Sequence, residues 1–159
     1  MPGPRRSWIV PGVLVVLIAA LLASSALIAA HRGRDTDPGM LVTARVQAKN
    51  AFSLDYRHAD DDAAQVLALA TGKFKKDYTA SSKALIAAVV KKKVVISATI
   101  PQDGAAVEFT DSDHGRVLVA LDVSTTPGGG ATRQERLSTR IFLTKVDGKW
   151  LVSDLTKVG

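Results

Sequence analysis

Two short stretches hold the side chains that acid–base or metal chemistry would use: Arg57-His58-Ala59-Asp60-Asp61-Asp62 and Asp111-Ser112-Asp113-His114-Gly115. A histidine beside carboxylates can move protons near neutral pH or ligate a divalent cation. Both stretches also have a plainer account. Three successive aspartates ahead of an apolar-periodic run are what a helix start selects, because carboxylates accept from free backbone N–H groups and face the positive end of the dipole. Asp and Gly between two strand patterns are what a turn selects for its backbone. The stretches are therefore assigned to capping and turning, and no catalytic, cofactor-binding or metal-ligating residue is assigned anywhere in the chain.

Lysines form two further clusters, Lys73, Lys75 and Lys76, then Lys91–Lys93. Such runs suit nucleic acid or anionic lipid. The second also complements a helix C-terminus, and neither has the interleaved aromatics of a base-stacking groove, so both read as solvated faces without a nucleic-acid partner. From Pro38 onward 17 Lys and Arg stand against 13 Asp and Glu, a mild excess of +4. The chain has no cysteine, which excludes disulfides, thiol nucleophiles and cysteine metal sites. It also lacks G-x-S-x-G, a P-loop, a dinucleotide fingerprint and H-E-x-x-H. The pattern is that of a protein that is not an enzyme and carries no cofactor.

The elements that would position these residues begin after a long apolar stretch. Trp8–Ala30 contains no charged side chain over 23 residues, enough helix to cross about 30 Å of hydrocarbon. It is too long for the apolar region of a cleaved signal. The expected organisation is a short cytoplasmic N-terminus at 1–7, a transmembrane anchor at 8–30, a polar linker at 31–37 and a folded domain at 38–159. Arg5 and Arg6 face His31, Arg32 and Arg34, the latter diluted by Asp35 and Asp37, so flanking charge fixes orientation only weakly.

Asp37-Pro38 reads as an N-cap with proline at the first helical position. Leu41, Ala44, Ala48, Phe52 and Tyr56 form a stripe at three- and four-residue spacing, with Arg45, Gln47, Lys49 and Asn50 outward and an end near His58. A second helix starts at the aspartates and stops at Gly72. A third shows one face in Phe74, Tyr78, Leu85 and Val89 and ends in the lysines at 91–93. The period then drops to two. Val94, Ile96, Ala98 and Ile100 alternate in one strand, Val107 and Phe109 in the next, and Val117, Val119, Leu121 and Val123 in a third. Residues 101–104 and 111–115 are the turns between them, and 125–132 form a flexible loop. Residues 135–146 and 149–155 flank Asp147-Gly148, the strongest short hairpin signal. The fold class is thus α+β, with about three helices on an antiparallel sheet of four to five strands. Trp150, with Val152 on its own side and Leu151 opposite, is read as packing between sheet and helices rather than stacking on a ligand.

Gly72, Phe74 and Tyr78 in a G-x-F-x-x-x-Y pattern, and Asp147, Gly148, Trp150, Leu151 and Val152 in the terminal hairpin, together with the single span, resemble the Mce-associated membrane proteins. These are accessory proteins of the mammalian-cell-entry lipid transport systems of actinobacteria. The terminal hairpin is also shared with the cone-shaped fold of nuclear transport factor 2. The resemblance implies a curved sheet wrapped by helices, a domain outside the cytoplasmic membrane, and a non-catalytic subunit that assembles or stabilises a Mce-type complex, with Mce subunits or other membrane proteins as partners and lipid contacted through the anchor. The rival it leaves open is a lipid- or steroid-like pocket of isomerase or dehydratase type, whose residues would be Asp55, Tyr56 or Tyr78 at the helix–sheet mouth.

Overall fold

The computed structural model describes residues 37–158. The anchor expected at 8–30, the N-terminus at 1–7 and most of the linker lie outside the described residues. Among the described residues no helix is long and apolar enough to cross a membrane.

Three helices, α1 (Pro38–Ala51), α2 (Ala59–Ala68) and α3 (Gly72–Lys92), precede strands β2 (Val95–Thr99), β3 (Ala105–Thr110), β4 (His114–Thr126), β5 (Arg133–Val146) and β6 (Lys149–Val158); a two-residue β1 (Leu54–Asp55) sits between α1 and α2. The antiparallel sheet runs β1-β2-β4-β5-β6, with β3 also paired to β4. The α+β class is as the sequence predicts, with one short strand more than the five patterns show.

The core lies between α1 and the inner face of the sheet. Val117, Val119, Leu121 and Val123 of β4 are buried at alternate positions, joined by Ile141, Leu143, Trp150 and Val152. Alternation of this kind buries one face of a strand and leaves the other to water. On α1 the buried set is Met40, Ala44, Gln47 and Ala48, rotated from the expected stripe. Ala44 and Ala48 let the helix lie close to the sheet, while Leu41 and Phe52 pack at its margins. Gln47, expected outward, is fully buried because α2 covers it, and its Nε2 donates to the Val66 carbonyl at 2.8 Å.

Several expected boundaries move, each for a local reason. α1 stops at Ala51 with Phe52 as its C-cap, and the chain then pairs Leu54 and Asp55 with Ile96 and Val95, so Tyr56 is not on the helix. α2 stops at Ala68, short of Gly72. Residues 69–71 instead run beside β6, the Val152 N–H donating to the Leu69 carbonyl and the Thr71 N–H to the Val152 carbonyl, both at 2.8 Å. Gly72, at φ +55°, opens α3. Of the face predicted for α3, Val89 is buried and Phe74 and Tyr78 are half-buried, but Leu85 is 41% exposed. Residues 101–104 do not reverse the chain: β2 and β3 follow one another along the same edge of β4. Pro101 has no N–H for the ladder, and the chain detours there before rejoining. A register shift between Val107 and Phe109 then turns Phe109 to the outer face, where it is 46% exposed and stacks under Arg116. A bulge of this kind re-aims every side chain beyond it. At the terminal hairpin Asp147 and Gly148 both have positive φ, as a two-residue turn of the primed type requires.

Candidate functional site

Near the C-terminal end of α1 an apolar cleft of about 270 Å³ opens against the inner sheet face, with Phe52, Leu54, Leu85, Ile96 and Leu137 in its wall and Tyr78 and Glu135 as its ionisable groups. Of the three rival candidates only Tyr78 reaches it. Burial raises the Tyr78 phenol above its ordinary pKa, and the Asp62 charge adds to the effect, so the hydroxyl stays protonated. Asp55 is not among the lining residues. Its carboxylate is gripped by the Arg57 guanidinium, with Arg57 Nε at 2.9 Å from Oδ1, and that hydrogen bond, helped by the Arg57 backbone N–H, holds its pKa down to about 2. A carboxylate so acidic is a poor proton acceptor near neutral pH. Tyr56 packs against the small cluster of Leu54, Ala59 and Val89. The structure does not bring Asp55, Tyr56 and Tyr78 together.

The two Asp/His stretches take the places their composition suggests. Asp60, Asp61 and Asp62 fill the first turn of α2, and Asp62 also accepts from the Asp55 backbone N–H at 2.8 Å, tying α2 to β1. His58 is exposed. In the β3–β4 connection Asp111 Oδ1 accepts from the backbone N–H groups of Asp113 and His114 at 2.9 and 2.7 Å, which closes the turn. Gly115, however, is a residue of β4 and not of the turn. A Cβ there would run into Met40 Sδ, so glycine is required for space. Among the described residues no group of three or more His, Cys, Asp or Glu is placed to hold a metal ion.

One polar cluster joins the two ends of the domain and is legible in the sequence only in pieces. Asp37 caps α1 by accepting from the Gly39 N–H through Oδ1 at 2.9 Å. Its other oxygen accepts from the Trp150 indole N–H at 2.7 Å and from Lys145 Nζ at 3.1 Å, and Lys145 lies 5.2 Å from the centre of the Trp150 ring. Trp150 is only 6% exposed. The residue beginning the domain is thereby fastened to the terminal hairpin. Asp37 and Trp150 each carried a local signal, an N-cap and a hairpin ring, but nothing local joins positions 113 apart.

The outer face of the sheet pairs its charges. Arg136 Nε meets Asp122 Oδ1 at 2.7 Å, and Glu108 accepts from Arg140 at 2.6 and 2.9 Å with Arg116 at 3.2 Å. These contacts lower the carboxylate pKa values, Arg136 acting on Asp122 and chiefly Arg140 on Glu108, while Trp150 and then Lys145 lower that of Asp37. A depressed carboxylate contributes stability that is fully present above its unfolded pKa, about 4, and is lost as pH falls through its folded value. The thermal midpoint is therefore expected to hold down to about pH 4 and to fall steadily from there toward about pH 2, the value for Asp55. Asp37→Asn should flatten part of that fall. A midpoint that is equally steep in the variant counts against the Asp37 assignment.

Residues 7–158 match the family described as uncharacterized protein Rv1363c/MT1408-like. Uncharacterized protein Rv1363c of Mycobacterium tuberculosis (strain ATCC 25618 / H37Rv) is 27% identical over 156 residues, covering 94% of this chain and 59% of that protein, so the chain spans about three fifths of its relative. Among solved structures, the periplasmic domain of DotI superposes with a TM-score of 0.65 at 16% identity, over 78% of this chain and 96% of that one. CagV, a VirB8 homolog of T4SS from Helicobacter pylori strain 26695, superposes with a TM-score of 0.61 at 14% identity, over 77% and 98%. At these identities the likeness is one of fold.

Proposed function

The chain belongs to the Rv1363c/MT1408-like family, and from that premise we propose that it is a non-catalytic, membrane-anchored subunit that assembles or stabilises a multiprotein membrane complex. The observation that carries this reading is the engagement of the candidate acid–base groups: Asp55 is held by Arg57, and Tyr56 packs in a satellite core away from the cleft. Two further facts support it. The charge-free stretch Trp8–Ala30 has the length of a single span, and the same fold is described as a periplasmic domain in DotI and as a VirB8 homolog in CagV. The finer identification, a Mce-type lipid transport complex with Mce subunits as partners, rests on the resemblance in Gly72, Phe74, Tyr78 and the terminal hairpin.

In this reading residues 1–7 are cytoplasmic, 8–30 anchor, 31–37 link and 38–159 dock outside the membrane. Deleting the chain is expected to lower the abundance of its partner membrane proteins, while His58→Ala with His114→Ala leaves that abundance unchanged; quantitative proteomics of native membranes measures both. Unchanged partner abundance on deletion would refute the reading. Because the chain has no cysteine, Ala131→Cys in the exposed loop between β4 and β5 gives a unique topology probe. It should react with a membrane-impermeant maleimide in intact cells, and labelling only after lysis would place the domain in the cytoplasm.

One observation favours a second reading as a pocket for a lipid- or steroid-like ligand: the cleft has an apolar wall and a protonated Tyr78 phenol. Leu137→Trp, which fills the cleft, would then abolish function without loss of folding.

A further inference from the structure

Helix α3 is built differently from the rest of the domain. Over its 21 residues Val89 alone is buried, with Phe74, Tyr78, Ser82 and Ile86 half-buried along the same side. At 1.5 Å per residue this is a rod of about 31 Å lying on the surface. With its C-cap Lys93 it carries seven lysines against one aspartate, a net +6, whereas residues 38–159 together carry +4; the remainder of the domain is therefore −2. Lys73 is paired with Asp77 and Asp154. Among the described residues, Lys76, Lys83 and Lys91 have no carboxylate within ion-pair distance. On the outer sheet face, by contrast, Arg136 is paired with Asp122, and Arg116 and Arg140 share Glu108.

The helical period places Lys76, Lys83 and Lys91 on the outward side of α3, separated by the exposed Ala80, Ala84 and Ala87 and followed by Val90, 47% exposed. Small side chains between the lysines leave a flat strip from which long, flexible ammonium groups reach outward. That side has no aromatic for stacking a base and no arginine fork for a defined phosphate or carboxylate. Compact cations along a straight rod suit a plane of mobile anionic headgroups.

We propose that the outward side of α3 lies on an anionic phospholipid surface and so lays the domain against the membrane that anchors it. The proposal rests on the membrane-anchored reading above. The test uses the full chain in nanodiscs of phosphatidylcholine, with or without phosphatidylglycerol, and single-cysteine variants Ala87→Cys on α3 and Gln134→Cys on the outer sheet face. Reaction of Ala87→Cys with a water-soluble maleimide should slow at least about tenfold when phosphatidylglycerol is present, since each lysine near an anionic surface is worth about fivefold. High salt should restore the rate, as should Lys76→Glu with Lys83→Glu and Lys91→Glu, exposed changes that leave the thermal transition in place. Gln134→Cys should react alike in both lipids. Equal rates for Ala87→Cys in the two lipids, or a slow rate insensitive to salt, would overturn the proposal. Slowing confined to native membranes would also overturn it, pointing to an acidic protein on this face. If the chain fails to enter nanodiscs the anchor reading falls separately, and flotation of the soluble chain with the same lipids then decides: binding that needs phosphatidylglycerol sustains the α3 assignment, and none refutes it.

Discussion

Trp150→Ala is expected to cost about 3–5 kcal/mol, the range for deleting a large core aromatic. The ring packs in the core cluster with Met40, Leu143 and Val152, and its N–H is one of three donors on the Asp37 carboxylate. The two contributions separate by substitution. Trp150→Phe keeps most of the apolar burial and removes the indole donor, so it should cost about 1.5–3 kcal/mol, as for a hydrogen bond to a charged group. Asp37→Ala should exceed that, because it also removes the helix cap, worth about 1 kcal/mol. Denaturant midpoints of the three variants check the order. A loss below about 1 kcal/mol for Trp150→Ala, far under what core truncation costs, would mean that the ring is not part of the core.

Gly115→Val should destabilise the domain despite placing a better strand former in a strand. Intrinsic preference favours valine there by about 1 kcal/mol. The new side chain, however, must occupy space held by the Met40 thioether, which is fully buried and can yield only by repacking the core around it. Overpacking of this kind costs about 3 kcal/mol at the upper end of its usual range, so the net loss is about 2 kcal/mol. The sign reverses the propensity argument and is therefore informative. Introducing the same change beside Met40→Ala should cost less than in the parent chain, and a double-mutant cycle measures the coupling. Additive losses would show that Met40 is not the obstacle.

What was legible in the sequence follows a physical division. Alternation in Val117–Val123, the Asp147-Gly148 turn and the Asp37-Pro38 cap are decided by neighbours a few residues away, and the structure has them where the pattern puts them. Gln47, Phe109, Gly72 and Gly115 depart from the local pattern because each answers to a distant element: α2 covering Gln47, a bulge turning Phe109 outward, β6 drawing residues 69–71 out of the helix, and Met40 pressing on β4. The cleft between helices and sheet is legible only as a region. Tyr78 lines it, while Asp55 is claimed by a salt bridge to a residue two positions away. Arg57 reaches that carboxylate because the chain turns directly after β1, the His58 N–H closing onto the Asp55 carbonyl at 2.9 Å.

The bond between Asp37 and Trp150 also bears on the order in which the domain can form. A ribosome releases residue 37 long before residue 150, and until the last hairpin exists α1 has neither its third cap ligand nor the ring that closes its end of the core. Contacts of such long separation are made late and slowly. The nascent domain can lay α1 on β4 and β5 as they emerge, but its core lacks Trp150 and Val152, and α1 is not fastened at its start, until the last hairpin is made. Chains truncated before Lys149 should be recognised and degraded as unfolded, with no partly working product.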